Sequence, residues 1–218
     1  MVAVLDRIEA NLSALRVWAE EGKPLPFVDE GHDFAVGEPM AEAELLAIER
    51  QYQVSLPAEY RAFLGRFGDT TVGPGNRFRR VREGLTAGSK EPFTLAKPFL
   101  GTCSPSHQRL SNERQWEAFK GLLEEWERIP KGNGVLWISD YGCAMYGVLV
   151  LNGPYRGQVW FLTGDAAYYG PFGGSESLHD ESAAADWTPT EEPREYSFFE
   201  WYEGWLNVRL KMAGLLAW

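Results

Sequence analysis

Few residues in this chain belong to types that perform chemistry, and their spacing decides what they can do. A metal site needs about three or four ligands within reach of one point. The candidates are His32, Cys103, His107, Cys143 and His179. Cys103-x-x-x-His107 makes one pair, and nothing near it in sequence completes a set. Ser104 and Ser106 stand beside His107, but a nucleophile and its base are seldom sequence neighbours, and no nucleophile elbow is present. Asp140 and Asp165 each follow a strand-like run and could approach as an acid–base pair. The plainer role for each is a turn, where a carboxylate accepts backbone N–H bonds. Gly73-Pro74-Gly75-Asn76 and the stretch from Gly170 to Gly174 are glycine-rich, yet neither carries the Lys and Ser or Thr of a phosphate loop. The expectation is a chain with no catalytic group, no metal and no cofactor.

Charge is more informative. The 218 residues carry a formal net charge of −10. Such a chain repels phosphate backbones, which argues against direct nucleic-acid binding. It attracts basic partners and speeds their encounter. The negative charge gathers between Glu176 and Glu203, which holds Glu176, Asp180, Glu181, Asp186, Glu191, Glu192, Glu195, Glu200 and Glu203 against Arg194. Tyr168, Tyr169, Phe172 and Trp187 lie among or beside these acids. Acids steer a partner and aromatics supply contact area, so Tyr168, Tyr169, Glu176, Asp180, Glu181, Asp186, Trp187, Glu191 and Glu192 form the candidate partner-binding set. A solvated acidic loop has the same composition. Arg77, Arg79, Arg80 and Arg82 make one basic cluster, which reads as a solvated face or as a contact for an acidic patch.

The elements that must position these residues follow from periodicity. Leu5, Ile8, Leu12, Leu15 and Ala19 mark a helix ending near Gly22. Prolines and glycines break residues 23–39 into loop. A second helix is expected from about Ala41 to Tyr52, and a third through Leu56, Tyr60, Phe63, Leu64 and Phe67, with Pro57 in its first turn and Gly68 as its stop. Arg77 to Glu83 alternates weakly, and Glu91 to Ala96 looks like a short strand. Ser111 to Ile129 reads as a helix with Trp116, Phe119, Leu122, Leu123 and Trp126 on its apolar side. Val135–Ile138, Val148–Leu151 and Val159–Leu162 are strands, separated by Asp140-Tyr141-Gly142 and by Asn152 to Gly157, so they form an antiparallel meander. Gly164 to Gly174 offers an edge strand, residues 175–195 a long loop, and Phe198 to Leu210 a last helix. Helices, then strands, then a helix imply an α+β fold. Residues 1–20 contain Asp6 and Glu9 and lack an apolar run behind a basic head, so they do not read as a signal peptide. No stretch reaches the roughly 18 apolar residues of a membrane span. The expectation is a cytoplasmic, reduced protein with no membrane association.

Three segments together resemble the Smi–Knr family of the SUKH superfamily, which includes bacterial toxin-immunity proteins and fungal cell-wall regulators. The first is Glu44 to Gly68 with its Leu56-Pro57-x-x-Tyr60-x-x-Phe63-Leu64 block. The second is Leu136 to Gly142, followed by Val148 to Leu151 and Gly157 to Phe161. The third is Ser197 to Tyr202. The resemblance runs from about Ala41 to Asn207. It implies a SUKH-like, mainly antiparallel sheet packed against N-terminal and C-terminal helices. It divides the chain into an N-terminal helix and loop extension, 1–40, and a SUKH-like domain, 41–218, with a helical insertion near 111–129. It offers no catalytic residue. Leu56, Tyr60, Phe63 and Leu64 read as core, Pro57 as a helix start, Asp140 and Gly142 as turn formers, and Trp160 as a structural residue of the third strand. The function implied is an immunity protein that occludes a cognate toxin with a basic surface. The alternatives are a regulatory or scaffolding module, and a small-molecule binder whose pocket is lined by Trp and Tyr.

Overall fold

The computed structural model describes residues 1–22, 34–100, 113–163, 168–171 and 195–217. Three helices come first: α1 (Val2–Glu20), α2 (Glu42–Tyr52) and α3 (Ala58–Phe67). Two short strands and a helical turn follow: β1 (Arg77–Phe78), α4 (Val81–Gly84) and β2 (Phe99–Leu100). Then come α5 (Glu113–Arg128), the strands β3 (Val135–Gly142), β4 (Met145–Val150), β5 (Gln158–Thr163), β6 (Tyr168–Pro171) and β7 (Tyr196–Ser197), and finally α6 (Phe198–Met212). The fold is α+β, as expected from the order of periodic segments. The sheet runs β1-β3-β4-β5-β6-β2, with β7 adding to β5, and every pairing is antiparallel.

Both faces of this sheet are covered, which explains its uninterrupted apolar runs. One face carries Leu136, Ile138, Leu149, Val159 and Phe161 into a core shared with α1, α2, α3 and α6. Leu5, Ile8, Leu12 and Leu15 enter that same core, and α1 lies along α6. The other face carries Val135, Val148, Val150, Trp160 and Leu162, packed with Phe93 and with Trp126 of α5. On α5, Trp126 is buried and Leu123 is exposed, while the Trp116 and Phe119 side chains lie outside the described residues.

Leu56, Tyr60, Phe63, Leu64 and Trp160 are all buried. Pro57 stands immediately before α3, and Gly68 ends it with φ 73°. A side chain at Gly68 would also strike the Glu38 carbonyl, so only glycine fits there.

Several local expectations need correction. Asp140-Tyr141-Gly142 is the end of β3 and not the turn. Asp140 and Gly142 pair with Tyr146 and Met145, and the Gly142 N–H donates to the Asp140 carboxylate at 2.9 Å. The turn is Cys143-Ala144, both left-handed at φ 48° and 57°. Two-residue hairpins of this form favour Asn-Gly, so nothing in a Cys-Ala pair announces one. Arg77 to Glu83 is a two-residue strand and then one helical turn. Residues 91–96 are not a strand. Their backbone is held by the Asn152 side chain, which accepts from the Phe93 N–H at 2.7 Å and donates to the Glu91 carbonyl at 3.0 Å. β6 is not an edge, because β2 pairs beyond it.

A candidate interaction cleft where three motif segments meet

An open cleft of roughly 440 Å³ lies at the start of β5. Pro57, Ala58 and Glu59 line it from the head of α3, Arg156, Gly157 and Gln158 from the β4–β5 connection, and Glu195, Tyr196, Ser197 and Glu200 from the approach to β7 through the head of α6. These belong to the three segments that carry the family resemblance, or directly adjoin them, and the fold brings them together from distant parts of the chain.

The local structure of each wall follows from its residues. Ser197 and Glu200 form a capping box: the Glu200 N–H donates to Ser197 Oγ at 3.4 Å, and the Ser197 N–H donates to the Glu200 carboxylate at 3.0 Å. Glu59 reaches across from α3 and accepts the Phe199 N–H at 2.9 Å. A carboxylate there satisfies a free helix donor and faces the positive end of the α6 dipole. Arg156 ties the β4–β5 connection to the bend before α3, donating to the Ser55 carbonyl at 2.8 Å, to the Leu56 carbonyl at 3.1 Å and to the Leu151 carbonyl. Gly157 sits at φ 88°, a conformation other residues rarely take. Gln158 links the cleft to the core. Its side chain donates to Glu195 at 2.8 Å and accepts from the buried Trp160 indole at 3.1 Å.

Among the described residues, the lining thus holds three carboxylates and one guanidinium. Each carboxylate uses one oxygen in a structural bond. Among the described residues, the second oxygen of each accepts no bond. The cleft is therefore acidic and rigidly framed, with acceptor capacity to spare. Among the described residues, its only aromatic lining residue is Tyr196, which is unlike the Trp- and Tyr-lined pocket a small-molecule binder would use.

The residues singled out from the sequence fall into separate groups. Tyr169 does not face a partner. It is buried between β5 and β2, with its ring against Trp160 and Phe93 and its hydroxyl donating to the Lys131 carbonyl at 3.1 Å. Burial pushes its phenol well above the ordinary tyrosine range. Tyr168 lies in β6 beside it, and its side chain lies outside the described residues. Glu176, Asp180, Glu181, Asp186, Trp187, Glu191 and Glu192 also lie outside them, as do His32, Cys103, His107, Asp165 and His179. Asp140 pairs with Arg79 at 3.0 Å. Among the described residues, no group of three His, Cys, Asp or Glu side chains could hold a metal, and no helix is long and apolar enough to cross a membrane. Sequence reading missed Glu59 and gave no site role to Glu195 or Glu200. Glu59 is hidden in a helix start, and only the tertiary contact with Phe199 shows its place.

No curated protein and no solved structure matches the chain. A protein-family model does, across residues 39–180, a stretch that begins after α1 and stops short of β7 and α6. The chain belongs to the SMI1 / KNR4 family (SUKH-1).

Proposed function

We propose that this chain is a non-enzymatic, cytoplasmic immunity protein that neutralises a cognate bacterial toxin by covering a basic surface on it. The observation that carries this reading is the acidic cleft formed where the head of α3, the β4–β5 connection and the head of α6 converge. Glu195 opens directly from the acidic stretch that holds Glu191 and Glu192, so the cleft continues a negatively charged region of sequence. A carboxylate-lined cleft attracts Lys and Arg side chains, and held carboxylates lose little freedom on pairing. Occlusion asks nothing of the protein beyond a rigid, complementary surface, which fits a site built from helix caps and a clamped turn.

Co-expression tests the reading. In a sensitive host, the chain should restore growth against a toxin encoded beside its own gene. If none of the adjacent reading frames is toxic, or none is rescued, the immunity role fails. Recovery of only non-toxic partners from the native cell would instead favour the regulatory role.

A further inference from the structure

The chain contains two Asn-Gly pairs, Asn133-Gly134 and Asn152-Gly153, and both lie among the described residues. In such a pair the glycine nitrogen can attack the asparagine side chain with no Cβ in the way. The attack needs a nitrogen that is free and accessible, and a side-chain carbonyl whose oxygen can take up negative charge. Both glycines sit in the left-handed region, at φ 66° and 77°. The backbone shape is shared, and the surroundings differ.

Gly134 is buried, and its N–H donates to the Gly88 carbonyl at 3.0 Å. A side chain there would strike Phe93, so close packing holds this backbone still. Among the described residues, no N–H donates to the Asn133 side chain. Gly153 is exposed, and its N–H bonds nothing among the described residues. A side chain there would meet only ordinary contacts with Phe93, the nearest at 3.7 Å. The Asn152 side-chain oxygen accepts the Phe93 N–H at 2.7 Å, and its Nδ2 donates to the Glu91 carbonyl at 3.0 Å. A donor aimed at that oxygen polarises the carbonyl and stabilises the oxyanion that forms when its carbon is attacked.

We propose that Asn152 is a site of spontaneous deamidation, with the Gly153 nitrogen as nucleophile and water as co-reactant. The Gly153 nitrogen gives its proton to solvent base and attacks Asn152 Cγ. The new C–N bond closes a five-membered succinimide, the Cγ–Nδ2 bond breaks, and ammonia leaves with a proton from solvent. Water then opens the ring at either carbonyl and leaves aspartate or isoaspartate, with no change of oxidation state. Aspartate puts a carboxylate oxygen where Nδ2 donated, so the Glu91 carbonyl loses its donor and meets a negative charge. That loosens the segment that packs Phe93 against Trp160 and Tyr169. Isoaspartate adds one carbon to the backbone of the connection that carries Arg156 and Gly157 into the cleft wall. The site does not depend on what the cleft receives, so either can fail without the other.

The test is to age the full chain in mildly alkaline buffer, folded and in concentrated urea, and to map it by mass spectrometry. Chymotryptic cleavage after Trp137 and Tyr146 places the two asparagines on separate peptides. In the folded chain, the Asn152 peptide should gain the mass difference between an amide and a carboxyl group several-fold faster than the Asn133 peptide. One of its products should co-elute with the same peptide from Asn152→Asp. In urea the two rates should draw together, because the Phe93 donor and the Gly88 acceptor no longer distinguish the pairs. An Asn152 that stays intact in the folded chain, an Asn133 that converts as fast, or a rate ratio that urea leaves unchanged would each overturn the proposal.

Discussion

Replacing Phe63 by Ala should cost about 3–5 kcal/mol of stability, as large-to-small changes of a buried aromatic do. Phe63 is fully buried in α3, and its ring meets Phe67, Phe78, Phe198 and Tyr202 at centroid distances between 4.8 and 6.1 Å. These neighbours belong to α3, β1 and α6, so the ring joins three elements and no single one can collapse to fill the space. Domains are stable by about 5–15 kcal/mol, so this one change removes a large share. Urea unfolding should show a lower midpoint with an unchanged slope. Phe63→Leu should cost less than half as much, because most of the volume remains. A loss below about 1 kcal/mol in Phe63→Ala would mean that α3 does not hold this ring in the core.

The second large effect is alkaline unfolding. Tyr60, Tyr169 and Tyr202 are buried, and the Tyr141 hydroxyl is buried as well. Desolvation of the phenolate pushes each of the four well above the ordinary value, with the Asp69 charge adding to the effect at Tyr60. An unfolded phenol titrates near pH 10. Below that pH, both states keep the proton and stability does not depend on these groups. Above it, the unfolded chain releases four protons that the native protein retains, so stability falls as pH rises. The limiting slope is about 5 kcal/mol per pH unit. Exposed tyrosines titrate alike in both states and cancel. Urea unfolding between about pH 8 and about pH 12 should show a plateau followed by this decline. Tyr60→Phe should reduce the slope by about one quarter. A flat profile to the alkaline limit, or no change of slope in that variant, would contradict the burial of these phenols.

Much of the fold was legible because its strongest signals are long. The stripes of α1 and α6, the Leu56 to Leu64 block and the three meander strands each span several periods of one pattern. What escaped the sequence is held by single contacts. The β3–β4 turn begins at Cys143, beyond Asp140-Tyr141-Gly142, since Cys143 and Ala144 take a conformation that their types do not advertise. Residues 91–96 resemble a strand, but the Asn152 amide binds their backbone in place of a neighbouring strand. Tyr169 has the sequence setting of a surface aromatic, in a Gly- and Tyr-rich stretch, and the pairing of β6 with β2 buries it.

The site was less legible than the fold for the same reason. Acidity was readable as composition, and the motif segments were readable as blocks. The bond from Phe199 to Glu59, which brings α3 and α6 to one cleft, spans 140 positions in the chain. The Arg156 clamp on Ser55 spans 101. Neither leaves a local trace in either partner's neighbourhood.

The claim that a partner enters through the acidic cleft is tested most directly by its association rate. The purified chain would be mixed with the toxin domain that co-expression identifies, at low and high salt. Glu195→Lys alone, and combined with Glu191→Lys and Glu192→Lys, should slow association several-fold at low salt, on the order of tenfold for the triple change. The difference should shrink as salt screens the charges. The thermal stability of the Glu195→Lys variant should change little, since an exposed charge contributes at most about 1 kcal/mol. Unchanged association rates at low salt would contradict the assignment of this cleft as the partner-facing site.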